Sequence, residues 1–249
     1  MSTRASIVVL AVVCGCGDVV PPAIDAAPID AMVGVDAAID GPVAATICEN
    51  PTGLHTVFIN TNGGTYTPAS GGVSSPAANT ATSANAADTL AGWQVSAAVN
   101  SQMMQCLRET YRAYNVEFTD QEPATEPYYE VVITSDAATT LIGANVLSIG
   151  ELGCPPLEQS ITFIFATVSD DPLTICQSAA STLGFSAGTS RVTPVCEDVM
   201  TATYECPTQT SFVDTLQECG RTMPMPCNCD GAMSQNSHRI LLNAFGACP

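Results

Sequence analysis

The sequence predicts an α/β (α+β) body followed by an irregular, disulfide-rich C-terminal lobe. Three observations lead there. Up to residue 184, β-favouring runs alternate with segments whose apolar residues recur every three or four positions. The run SITFIFAT, residues 160 to 167, is β-favouring throughout and reads as a strand buried on both faces, followed at once by a helix start. Beyond residue 184 the chain turns rich in Cys, Pro, Thr and Gly and loses its periodicity.

The elements follow in order. Arg4 precedes the apolar run Ala5 to Val13, too short to span a bilayer and of the length of a secretion signal. The VCGC that follows resembles a bacterial lipoprotein signal, which implies cleavage after Gly15 and lipid on Cys16. Residues 1–15 are then a leader. That cut discards Cys14 and leaves an even set of ten cysteines to pair: Cys48, Cys106, Cys154, Cys176, Cys196, Cys206, Cys219, Cys227, Cys229 and Cys248. The alternative is a soluble secreted chain with two spare thiols. Residues 16–46 are built mostly of Ala, Asp, Pro, Val and Ile, and read as a disordered, self-repelling tether. The folded domain is expected over 47–249, starting near Ile47 and Cys48.

HTVFINTNGGTYT, residues 55 to 67, reads as a strand, a turn and a partial return strand. Residues 68 to 91 are small and polar, and read as a long loop. Val99, Met103, Cys106, Leu107 and Tyr111 mark an amphipathic helix within Val95 to Tyr114. Strands are expected at 115–119, 129–134, 145–149 and 160–167. Asp171-Pro172 opens a helix with an apolar stripe at Leu173, Cys176, Ala180 and Leu183, and Gly184 is its expected stop. Two short helices are expected near 211–219 and 235–245.

The bulk numbers exclude some partners. The net charge is −18, all six basic residues are Arg, and only 12% of residues are charged. Such a chain repels phosphate backbones, so nucleic acid is not an expected partner, and no polybasic membrane patch exists. Twelve cysteines point to an oxidising compartment.

The order of these parts resembles the zincin metallopeptidases, and the metzincin branch most. HTVFINTNGGTYT looks like their opening strand. QCLRETYRAYNVEFTD, residues 105 to 120, looks like their first helix running into a strand. LIGANVLSIG, Leu141 to Gly150, looks like their edge strand. SITFIFAT and the helix after it look like their last strand and active-site helix, and Met200 stands where they carry a Met-turn. The resemblance spans roughly residues 53 to 246 and implies a zincin-like twisted mixed sheet. The family helix carries H-E-x-x-H-x-x-G-x-x-H, because two His one turn apart reach one Zn²⁺ and the Glu activates its water. Aligning Gly184 with the motif glycine puts Gln177 and Ser181 at the first two His, Ser178 at the Glu and Ala187 at the third His. Every ligand and the base are absent, so these positions are vestigial.

Other chemistry is weakly signalled. His55 and His238 are the only two His and lie far apart in the chain. Cys227-x-Cys229 is too tight for a zinc knuckle and reads as disulfide material, as does a local Cys196–Cys206 bridge. GFSAG, centred on Ser186, spells G-x-S-x-G but follows a helix, not a strand. Asp170, Asp171 and Asp230 follow no Ca²⁺-loop spacing. No cofactor, no metal and no catalytic residue is expected. The resemblance leaves a lipid-anchored, non-catalytic envelope protein, periplasmic or on the outer surface, that binds a peptide or protein partner along Leu141 to Gly150. Two alternatives stay open: an active metallopeptidase with atypical ligands, and a structural disulfide-rich surface lipoprotein.

Overall fold

The computed structural model describes residues 53–138, 141–143, 146–193, 196–201 and 211–248. The expected leader, the expected lipidation site Cys16, the expected tether, Cys48 and Cys206 lie outside the described residues. Among the described residues, no helix is long and apolar enough to cross a membrane.

The fold is mixed α/β. Its main sheet has the order β5-β1-β6-β8-β7. β1 (His55–Asn60), β5 (Val116–Thr119), β6 (Tyr129–Thr134) and β8 (Ser160–Phe165) run parallel, and the short β7 (Ser148–Ile149) pairs antiparallel with β8 at one edge. β6 and β8 are buried at every position, which for β8 is what the β-favouring run SITFIFAT predicts.

The sheet is covered on both faces. Strand alternation sends Val57, Tyr129, Val131, Ile133 and Ile164 into one core with α1 (Ala97–Tyr111), α2 (Pro172–Ser186) and α3 (Ser237–Phe245). It sends Val132, Ile161, Phe163 and Phe165 into a second core with Tyr66 and Leu90. Cys106 of α1 and Cys176 of α2 form a disulfide that ties the two helices together inside the first core.

The second core contains two corrections to the sequence reading. β2 (Gly63–Pro68) does not return along β1. It pairs antiparallel with β4 (Asp88–Ala91) and parallel with β3 (Thr80–Ala81), forming a separate three-stranded sheet. The turn residue Gly63 has φ +74° and sits so close to β4 that a Cβ would stand 2.2 Å from Leu90 O. Only glycine allows that approach, and it steers the chain out of the main sheet. Residues 68 to 91 are therefore not a long loop. Their strands are too short and too rich in small residues to show alternation in the sequence.

The helices also differ in detail. Asp171 caps α2 as expected: its Oδ2 accepts from Thr174 N at 2.8 Å, with Pro172 in the first turn. Gly184 is not the stop. α2 runs on to Ser186, Ala187 caps it, and the left-handed residue is Gly188, at φ +94°. No helix forms over 211–219; Gln217–Glu218 is instead β9, paired with β10 (Ser234–Gln235). The helix expected near 235–245 is α3. The C-terminal lobe is stapled by Cys219–Cys227, and Cys154–Cys229 joins it to the segment after β7. Cys196 and Cys248 are disulfide-bonded too.

Candidate functional site

α2 is the element that the sequence singles out. The expected apolar stripe is buried at Cys176, Ala180 and Leu183, but burial does not stop at that face. Leu173 is exposed, whereas Gln177, Ser178 and Ser181 are 2%, 1% and 0% exposed. From Ile175 to Gly184 the helix is buried all round. Ser181 Oγ donates to Ser178 O at 3.2 Å, and Thr182 Oγ1 donates to Ser148 Oγ of β7 at 3.0 Å or accepts from it. The small residues of this helix thus serve close packing. Gly150 and Gly153 show the same on the other side of the contact: Cβ atoms there would stand 2.4 Å from Thr182 Cγ2 and 2.1 Å from Ser186 O. Gly153 N and Leu157 N donate to Phe185 O and Ser186 O at 2.9 and 2.8 Å, so the segment after β7 is bonded onto the end of α2.

Met200 lies against this helix. A Cβ on Gly184 would stand 3.1 Å from its Sδ, and Thr189 Oγ1 donates to the sulfur at 3.4 Å. The turn is held by Asp198, which sequence reasoning missed. Its Oδ1 accepts from Met200 N at 2.8 Å, its Oδ2 from Val213 N at 3.0 Å, and Ser237 at the start of α3 donates to it as well. Burial raises the Asp198 carboxyl above its ordinary range, against the pull of these donors. One buried carboxylate therefore connects the Met200 turn, the 211–213 segment and α3. The signal available in the sequence was only an Asp two residues before Met200.

Two clefts lie nearby. One, about 210 Å³, is lined by Cys154, Pro156, Ala187, Gly188, Gln235 and Asn243. Of the six positions aligned with the zincin motif and Met-turn, Ala187 alone lines it. The other, about 320 Å³, is lined by His55, Pro127, Tyr129 and Glu158. Both are at or below the small end of ligand pockets, which start near ~300 Å³.

The two His do not converge. The His55 ring packs on Phe245 and Tyr129, with centroids 5.1 and 6.1 Å apart, and its burial lowers its pKa and favours the neutral ring. His238 Nδ1 is 2.8 Å from Tyr114 Oη. Phe245, Tyr111 and Tyr114 stand between the two imidazoles in a chain of edge-to-face rings. Cys227 and Cys229 pair with different partners, so that motif is spent on disulfides. Among the described residues no three His, Cys, Asp or Glu side chains gather where an ion could bind. Ser186 is the last residue of α2, buried, with its Oγ 2.8 Å from Ser160 Oγ and no His beside it among its hydrogen bonds. It lacks the exposed strand-to-helix turn that a nucleophile elbow requires. Asp171 is occupied as a helix cap, and Asp230 Oδ1 accepts from Ala232 N at 2.9 Å.

Among the described carboxylates the largest electrostatic anomaly is Glu130, the second residue of YEVVIT. It is 2% exposed on the face of β6 toward the small sheet. Asn60 Nδ2 and Tyr66 Oη donate to its Oε1 at 2.9 and 2.8 Å, while Oε2 has no hydrogen-bond partner among the described residues. Burial raises its pKa to about 7, partly offset by those two donors and reinforced by Glu122. A lone acid in a β-favouring run was the visible signal.

The sheet ends differ in a way that bears on binding. β5 carries Glu117 on the outer strand. Residues 146–150, VLSIG, at the β7 end carry no charge and are half-buried. Leu147 O accepts from Phe165 N at 2.8 Å, so strand alternation turns the Ser148 main-chain N–H and C=O away from β8. No family model matches the chain, and no curated protein matches it.

Proposed function

We propose that this chain is a zincin-like domain without catalytic metal, lipid-anchored through Cys16 in a bacterial cell envelope, that binds an extended peptide or a partner's extended segment along β7. The observation that carries the reading is the β7 edge: antiparallel to β8, uncharged over 146–150, with Ser148 main-chain groups directed outward. An uncharged edge is a template for strand addition, and backbone pairing needs no zinc. The sheet order, the helix after its last long strand and the seat of Met200 under Gly184 support the zincin-like part of the reading. The burial of Gln177, Ser178 and Ser181 supports the non-catalytic part, because none is a good zinc ligand and none faces an open cleft.

The test is binding of a fluorescent library of extended decapeptides to the full chain in EDTA, compared with Ser148→Pro. Proline there deletes an outward N–H and leaves the ladder to β8 intact. The reading requires EDTA-resistant binding that the substitution abolishes. Binding that survives the substitution would refute it.

A further inference from the structure

We propose that Met223, Met225 and Met233 form a binding site for a soft monovalent metal ion, of the Cu(I) class. These side chains are 63%, 53% and 49% exposed, while Met103, Met104 and Met200 are 0%, 5% and 0% exposed. The exposed three fall within eleven residues of one lobe. The fold draws two of them together at Cys219. Cys219 N donates to Met233 O at 2.9 Å, and Cys219 O accepts from Met225 N at 2.7 Å. In an extended strand the N–H and C=O of one residue point to the same side, so the Met225 and Met233 main chains flank the same side of Cys219. Met223 is two residues from Met225, in the turn closed by the Gly220–Pro224 bridge. A Cβ on Gly220 would meet Met223 O at 2.0 Å, so glycine alone lets that turn close so tightly. The Cys219–Cys227 disulfide closes the same knot.

The ligand chemistry selects the ion. Thioether sulfur is soft, neutral and never protonated in water, so it binds Cu(I) or Ag(I) and rejects Mg²⁺, Ca²⁺ and Zn²⁺. The lobe's own thiols do not compete, because Cys219, Cys227 and Cys229 are all in disulfides. The net charge of −18 favours a cation over the apolar occupants that exposed methionines otherwise attract.

The experiment uses Ag(I) as silver nitrate in chloride-free buffer, since Ag(I) needs no reductant and leaves the disulfides intact. The full chain, labelled with ¹³C at the methionine methyl groups, is titrated and followed by NMR. The expected result is one ion per chain, with the Met223, Met225 and Met233 methyl signals shifting together and those of Met103, Met104 and Met200 unmoved. Each of Met223→Leu, Met225→Leu and Met233→Leu weakens binding at least tenfold. The substitutions are at exposed sites of similar volume, so the fold is retained, and unchanged signals of the buried methionines verify that. No shift of the three methyl groups, or stoichiometric binding retained in the triple Leu variant, would overturn the proposal.

Discussion

The sulfur of Met200 is seated under the backbone of Gly184: a Cβ on that glycine would stand 3.1 Å from it and 3.0 Å from Thr189 Oγ1. The contact locks the Met200 turn to α2 through the absence of one side chain. Gly184→Val should destabilise the fold by about 1–3 kcal/mol through overpacking, although helix propensity alone favours almost any residue over glycine. Met200→Leu, a volume-conserving change, should cost less than about 1.5 kcal/mol. Urea unfolding of the two variants checks the pair, and a larger loss for Met200→Leu than for Gly184→Val would contradict it.

Asp198 holds the same turn through three donors, Met200 N, Val213 N and the Ser237 hydroxyl. Asp198→Ala leaves buried donors without an acceptor, and each such loss costs about 1–3 kcal/mol. We expect a drop of about 3 kcal/mol in unfolding free energy. Hydrogen exchange should show early opening of α3 and the 211–213 segment together, because one carboxylate binds both.

Glu130 makes stability fall as pH rises. Its folded pKa is about 7 against an ordinary 4.5, so the folded state holds its proton longer than the unfolded chain. Below pH ~4.5 both states are protonated and the group costs nothing. Between ~4.5 and ~7 the unfolded state ionises first, and at ~1.4 kcal/mol per unit the penalty grows to about 3 kcal/mol above pH 7. The groups facing it are Asn60, Tyr66, Glu122 and Tyr128, none of them a cation. Glu130→Gln should be the more stable protein at pH 8 and lose that advantage by pH 4.5. Thermal melts of both proteins across this range measure the difference.

The Cys106–Cys176 disulfide closes a 70-residue separation between α1 and α2. Loop-closure entropy for that length corresponds to about 4 kcal/mol. The double variant Cys106→Ala with Cys176→Ala should lose a comparable amount, because both sulfurs also leave a packed core. A loss under about 1 kcal/mol in urea unfolding would contradict the assignment of this bridge to the core.

Much of the main sheet was legible because its strands carry β-branched and aromatic residues at nearly every position, as in SITFIFAT and YEVVIT. The small sheet was not. Its strands contain Gly, Thr, Ala and Pro, and its pairing depends on Gly63 reaching Leu90 O, a tertiary fact that no local pattern encodes. The surroundings of α2 were also hidden. Counting residues placed Gln177 and Ser181 one turn apart, but their burial depends on segments distant in sequence. Asp198 was one of two adjacent acids, Glu197 and Asp198, and Glu130 was visible as a lone acid in a β-favouring run, but only folding brought donors around either.

The central claim is that α2 and its surroundings hold no catalytic metal. Elemental analysis of the purified full chain, equilibrated with Zn²⁺ before desalting, tests it most directly. The account predicts well under one zinc per chain and no peptidase activity that chelation removes. One tightly held zinc per chain, together with peptide cleavage abolished by chelation, would contradict it.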